Sequence, residues 1–166
     1  MTAVAGGDEA ALAALIDRYA AGVHAYLLRH SGNREDADDL LQETWVRIAR
    51  SAKSFDSARR FRSWLYGIAT NLARDWFRRR LTKERALRTL AARPDTVPAA
   101  DAVDRGELRA RIAQLPENLR AVLLLRYYEG MSEAEMAESL EIPRGTVKSR
   151  LHAALRELRG GYGVSK

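Results

Sequence analysis

The stretch that most constrains this chain runs from Met131 to Leu158, MSEAEMAESLEIPRGTVKSRLHAALREL. It reads as two short helices joined by a tight turn. Ser132 and Glu135 have the S-x-x-E spacing of a capping box, in which the Ser hydroxyl and the Glu carboxylate each take one orphan backbone N–H. Met131 and Met136 flank the box where a hydrophobic staple would close over it. Met136, Ala137 and Leu140 continue as one apolar stripe. The run Glu141-Ile142-Pro143 must end the helix, because the residue before a proline is pushed out of the helical region. The fixed φ of Pro143 suits the start of a new helix. Val147, Leu151, Leu155 and Leu158 line one face of that helix. Arg144, Thr146, Lys148, Ser149, His152 and Arg156 fall on its other faces.

Short hydroxyls and long cations on an exposed helix can meet base edges and phosphates. In a helix-turn-helix the second helix enters the major groove and its N-terminal residues do the reading. Gly145 removes bulk where the helix start would approach a phosphate. An ordinary antiparallel helix pair with a solvated basic face fits the same stretch.

The charge distribution narrows the partners. Met1 to Arg50 holds 5 basic and 8 acidic residues, Ser51 to Arg93 holds 12 and 3, and Pro94 to Lys166 holds 11 of each. The basic middle suits a polyanion such as nucleic acid, and the acidic front suits a basic protein surface. Apolar residues make up 46% of the chain, enough for a core. With no cysteine there is no disulfide and no thiolate metal site, which fits a reducing cytoplasm. His24, His30 and His152 are too scattered for a metal cluster. No apolar run approaches membrane-spanning length, and the N-terminus lacks the basic region of a secretory signal. No cofactor is expected.

Strand signals are nearly absent, so the expected class is all-α. A first helix is predicted from Asp8 to about Arg29, with Leu12, Leu15, Ile16, Tyr19, Val23, Tyr26 and Leu27 on its buried stripe. Ser31-Gly32-Asn33 ends it, and Asn33 can cap the next helix. That helix, about Arg34 to Ala52, buries Ala37, Leu40, Leu41, Thr44, Trp45 and Ile48. Its charged face carries Asp38, Asp39, Gln42, Glu43, Arg47 and Arg50, which physics alone reads as a solvated face balanced by helical charge pairs. Lys53 to Arg60 is expected as a loop. Phe61 to about Arg80 is a third long helix, with Thr82 to Leu90 extending or following it. Arg59, Arg60, Arg62, Arg74, Arg78, Arg79 and Arg80 lie among Phe55, Phe61, Trp64, Tyr66, Trp76 and Phe77. Arginine interleaved with aromatic rings offers the phosphate contacts and stacking that single-stranded DNA needs, although Trp64 and Trp76 also fit a core stripe. Arg93 to Val103 reads as a linker. Helices follow from Asp104 to Leu115 and from Pro116 to Tyr128, the latter capped by Gly130. The compact tail ends at Gly160-Gly161. The domain boundaries are therefore 8–92, a linker at 93–103, and 104–160.

Three stretches in this order, DADDLLQETWVRIAR, FRSWLYGIATNLARDWFRRR and LPENLRAVLLLRYYEGMSEAEMAESLEIPRGTVKSRLHAALREL, resemble the extracytoplasmic-function sigma factors of bacterial RNA polymerase. The resemblance covers nearly the whole chain. It implies two all-helical domains, region 2 and region 4, joined by a flexible linker. It implies core RNA polymerase as a partner, through the β′ coiled coil and the β flap. On the second helix, Asp38, Asp39, Leu41, Gln42, Glu43, Val46 and Arg47 match the face that docks on the β′ coiled coil.

The resemblance further assigns Phe55 and its loop, Asn71 and Asp75 to capture of a flipped base of the minus-ten element, among Arg59, Arg60, Arg62, Arg74 and Arg78. Asn71 and Asp75 are one helical turn apart, and Asp75 could accept from the exocyclic amine of cytosine. Lys148, Ser149 and His152 match the readers of the minus-thirty-five element. Arg126 would contact DNA from the preceding helix, and Arg144, Thr146 and Arg150 lie beside the readers. An anti-sigma factor is implied as a further partner. The reading is a promoter-specificity subunit, bound to duplex and melted promoter DNA in the cytoplasm, with no covalent chemistry of its own. A stand-alone helix-turn-helix regulator is the alternative, and the acidic helix and the arginine–aromatic helix discriminate against it. No phosphate-binding glycine loop, metal-ligand spacing or catalytic dyad points to an enzyme.

Overall fold

A computed structural model describes the backbone of residues 1–90 and 105–160, and the side chains of 1–83 and 106–160. The expected linker, Arg93 to Val103, lies outside the described residues. Among those described, the regular structure is entirely helical. The helices are α1 (Thr2–Ala5), α2 (Glu9–Ser31), α3 (Arg34–Ser51), α4 (Phe61–Leu90), α5 (Arg105–Gln114), α6 (Glu117–Tyr127), α7 (Glu133–Leu140) and α8 (Arg144–Gly160), with a 3-10 turn at Ala52–Ser54.

Local chemistry places the boundaries. The Asp8 carboxylate accepts from the Ala11 N–H at 2.9 Å and opens α2. Gly32 takes a left-handed turn at φ 75° and its N–H reaches the Leu28 carbonyl, closing α2. Asn33 then caps α3 through the N–H groups of Glu35 and Asp36. The chain thus reverses within two residues, and α2 and α3 pair. Of the two expectations for Thr82 to Leu90, extension holds: α4 continues to Leu90, about 45 Å of helix. The short α1 carries no periodic pattern long enough to be foreseen.

The C-terminal helices follow the capping chemistry closely. Ser132 and Glu135 form the reciprocal box, and Met131 and Met136 are fully buried beneath it. Gly130 adopts φ 62° and the Met131 N–H bonds the Leu125 carbonyl at 3.0 Å, a six-residue closure that ends α6. The stop of α7 rests on a residue before the proline. Glu141 itself turns left-handed, φ 53°, at a cost of about 1 kcal/mol for a non-glycine residue.

One apolar core runs through both halves of the chain. It takes Tyr26 and Leu27 from α2, Ile48 from α3 and Leu65 from α4, and continues into Leu124, Met136 and Val147 of the later helices. Burying such side chains contributes about 1.5–3 kcal/mol each. Within it, the Thr70 hydroxyl donates to the Tyr66 carbonyl at 2.6 Å. Its only proton is thereby spent, so Tyr26, 2.8 Å away, donates to Thr70. Burial holds the Tyr26 phenol far above its ordinary value.

Among the described residues, α4 and α2 both pack against the late helices. α7 crosses α4 at Gly67, where an added Cβ would come within 2.6 Å of the Ser139 carbonyl oxygen. α6 meets α2 through Arg120, only 3% exposed, which donates to the carbonyls of His30 at 2.8 Å and Leu115 at 3.0 Å. The His30 imidazole is itself buried, 4.0 Å from the Glu117 carboxylate. Burial first, then the Arg120 charge, push its pKa down to about 3, so it is neutral and forms no ion pair with Glu117. Burial also raises the Glu117 carboxyl.

A neutral His30 contributes fully to the fold above its free value of 6.5 and loses that contribution as pH falls toward 3. From pH 7.5 to 5.5 this single group is expected to lower the unfolding free energy by about 1.4 kcal/mol. Urea unfolding of the natural chain and His30→Gln at both pH values checks it; equal slopes in the two proteins would refute the assignment.

Candidate nucleic-acid and polymerase interfaces

The second helix of the helix-turn-helix, α8, begins just after Pro143, whose carbonyl accepts from the N–H groups of Thr146 and Val147. Val147 and Ala154 are buried and hold α8 against α6 and α7. That seam turns Arg144, Lys148, Ser149 and His152 outward, and all four are exposed. Thr146 and Arg150 are half-buried at its edge. The Ser149 hydroxyl donates to the Thr146 carbonyl at 3.0 Å and retains acceptor capacity. Arg126, exposed at the end of α6, donates from Nη1 to the Met131 carbonyl at 3.0 Å and braces the loop that enters α7.

The residues expected to handle a melted strand fall in two places. Phe55 packs on Trp64 at 4.8 Å and edge-on to Phe61 at 6.3 Å between ring centroids. Phe55 and Phe61 border a cleft of about 410 Å³ lined also by Lys53, Ser57 and Arg59. Asn71 and Asp75 lie farther along α4; the ten residues from Phe61 to Asn71 span about 15 Å of helix. They are therefore not brought into the Phe55 cleft. Each faces a cation of its own: Arg74 donates to Asn71, and Arg78 to Asp75 at 2.8 Å. Arg74 and Arg78 are exposed.

Arg59, Arg60 and Arg62 are engaged within the chain. Arg60 Nη1 meets Glu135 at 3.0 Å, Arg59 lies 3.4 Å from Glu141 and 3.8 Å from Glu138, and Arg62 donates to the Glu129 carbonyl. Tyr66 donates to the Glu129 carboxylate, and burial together with that partner raises the phenol well above its ordinary value. Glu135 is held below the usual carboxylate range, first by the Ser132 backbone N–H, then by the Ser132 hydroxyl and Arg60. The glutamates' part in this contact escaped the sequence reading. The three-residue spacing of Glu135, Glu138 and Glu141 puts them along one face and was the available signal.

On α3, Asp38, Asp39, Gln42 and Arg47 are exposed, and Leu41, Glu43 and Val46 are half-buried beside them. Asp38 takes a 2.8 Å hydrogen bond from His24, and Glu43 lies 3.6 Å from Arg47 one turn on. Such exposed pairs contribute about 0–1 kcal/mol and leave the face free to exchange partners. Trp76 donates to Asp36 at 3.2 Å, so its ring braces α4 on α3. No group of three or more metal-ligating side chains occurs among the described residues, and no described helix is long and apolar enough to cross a membrane.

The helical layout agrees with known families. Residues 15–82 match Sigma-70 region 2, and residues 105–158 match Sigma-70, region 4. The fold is similar to that of CnrH in its complex with the cytosolic domain of CnrY, with a TM-score of 0.75 and 24% identity over 99% of this chain and 96% of that one. It is similar also to the sigma factor RpoE solved with the anti-sigma factor NepR from Bartonella quintana, with a TM-score of 0.71 and 20% identity over 91% and 96% of the two chains. A region-2 unit followed by a region-4 helix-turn-helix defines a sigma-70-type transcription initiation factor. SigW of Bacillus subtilis (strain 168), an ECF RNA polymerase sigma factor, is 35% identical over 92% of this chain and 89% of its own length. The chain belongs to the extracytoplasmic-function sigma factors of RNA polymerase.

Proposed function

We propose that this sigma factor binds core polymerase through the α3 face and reads promoter DNA through α4 and α8, with the linker at 93–103 setting the reach between units 8–92 and 104–160. The observation that carries the reading is the exposure of Arg144, Lys148, Ser149 and His152 on the N-terminal half of α8, the part of a helix-turn-helix that meets base edges. The β′ coiled coil would meet Asp38, Asp39, Leu41, Gln42, Glu43, Val46 and Arg47, and the β flap would meet the region-4 unit. At the minus-ten element, Phe55, Asn71 and Asp75 would handle an extruded base, whose release from the stack costs a few kcal/mol. Arg59, Arg60, Arg62, Arg74 and Arg78 would neutralise phosphates there. Arg126, Thr146 and Arg150 would support the minus-thirty-five contact. The protein performs no covalent chemistry and works in the cytoplasm. An anti-sigma factor is a further partner, in keeping with the complex in which RpoE was solved.

Run-off transcription with core polymerase on a pool of genomic promoter fragments tests the reading. Starts sharing two spaced upstream motifs are expected only when the protein is present. Duplex binding without core association or transcripts would instead leave a stand-alone regulator. In the same assay Lys148→Ala is expected to weaken one promoter class by about 1–3 kcal/mol. An equal loss on every DNA sequence would reduce Lys148 to a phosphate contact. Asp75→Ala is expected to relax preference at one minus-ten base; an unchanged preference among promoter variants would remove Asp75 from base reading.

A further inference from the structure

Phe55 lacks nearby partners on α4 for holding a base, because Asn71 and Asp75 lie farther along that helix. Its cleft is walled instead by the first residues of the chain. Met1, Thr2 and Ala5 line the same space of about 410 Å³ as Phe55, Ser57 and Arg59. A four-residue helix does not hold itself, because nucleation costs more than one turn of hydrogen bonds returns. α1 is therefore held from outside. Val4 is buried, 8% exposed, and α1 packs on α2 and on the 3-10 turn that leads into Phe55. Behind α1 the chain turns back sharply. Gly7 takes φ 87°, which glycine adopts freely, and its N–H reaches the Val4 carbonyl at 3.0 Å. The Asp8 N–H reaches the Ala3 carbonyl at 3.1 Å. The cleft has the makeup of a nucleobase site. Half-buried Phe55 and Phe61 bring aromatic rings, and Lys53 is an exposed cation at its edge. Thr2 and Ser57 bring hydroxyls, which both donate and accept. The volume falls within the range of small-ligand pockets, about 300–1,000 Å³.

We propose that α1 is the second wall of the cleft that holds an extruded base of the melted minus-ten strand. Phe55 is the stacking face, Thr2 and Ser57 meet the polar edge of the base, and Lys53 meets its phosphate. Extrusion gives up stacking in the duplex, and a base enclosed between two walls recovers more of that loss than one lying on an open ring. The pocket is thus assembled from the start of the chain and the loop ahead of α4. Asn71 and Asp75, each paired with an arginine of its own, serve a different nucleotide of the strand. The inference rests on the base-capture reading of Phe55 given under Proposed function and deepens it.

The test uses the full chain bound to core polymerase. The probe is a fork-junction promoter fragment from the run-off selection, in a series with one abasic site at each minus-ten position. Loss of the captured base is expected to weaken binding about tenfold at one position. Phe55→Ala should shrink that penalty to about twofold. Two variants act on the wall: Val4→Asp takes away its anchor, and deletion of Thr2–Ala5 takes away the helix itself. Both are expected to weaken binding of the intact fragment about three- to fivefold and to leave the abasic fragment unchanged, so that the penalty shrinks at the same position. A merely structural role for α1 would weaken both fragments alike, and that result overturns the wall. So does a penalty that Phe55→Ala shrinks and both α1 variants leave intact; base capture by Phe55 then stands alone. A penalty that Phe55→Ala leaves whole, or no penalty at any position, overturns base capture in this cleft and the wall with it.

Discussion

A guanidinium taken out of water keeps its charge and must find acceptors, and Arg120 finds them on both sides of a helix junction. One nitrogen reaches the His30 carbonyl near the end of α2, and another reaches Leu115 just ahead of α6. Its carbon lies 5.0 Å from the centre of the Phe77 ring on α4. A buried cation with several partners contributes little net stability, but removing any partner is expensive, so it enforces one arrangement over others. The α2–α6 contact follows from where that charge sits, and it adds to the burial that keeps His30 neutral, whereas burial raises the Glu117 carboxyl against the pull of Arg120. With α6 placed, α7 comes down on α4 at Gly67.

The same docking divides the polar surface by availability. The exposed polar side chains of α8 and the α3 acids lie on helices whose apolar faces are spent on the core. The arginines at the start of α4 are equally polar yet already engaged. Long-range pairing, rather than residue type or exposure, sets them apart: Arg60 is about as exposed as Arg78, 70% against 73%, but its carboxylate lies 75 residues away in the chain rather than three. An exposed ion pair is weak by itself. Several pairs around a close backbone contact act together, because the same packing presents all of them at once.

Much of the fold was legible in the chain because its signals are local. Asp8, Asn33 and the Ser132–Glu135 box announce helix starts through hydrogen bonds within three residues. Gly32 and Gly130 mark the stops through a conformation that glycine adopts freely. Apolar periodicity then identified the inward faces of α2, α3 and α4. What escaped carries no such mark in the residue type. Glu141 turns left-handed because Ile142 must reach back to the Ala137 carbonyl before Pro143, and no propensity marks a glutamate for that role. Asn71 and Asp75 share a helix face as their spacing requires, but their distance from Phe55 depends on where the loop packs.

The sequence by itself determined the all-helical class, the order of the helices after α1, the exposed polar face of α8 and the charged face of α3. Each of these depends on spacing along a helix, and spacing is written in the chain. Only the tertiary structure decided that Arg120 is interior, that Gly67 is a contact point and that Arg59, Arg60 and Arg62 face four glutamates 67 to 82 residues away. Pairings at such separations depend on how two apolar faces meet, and an arginine reads the same in sequence whether its partner is water, phosphate or a carboxylate.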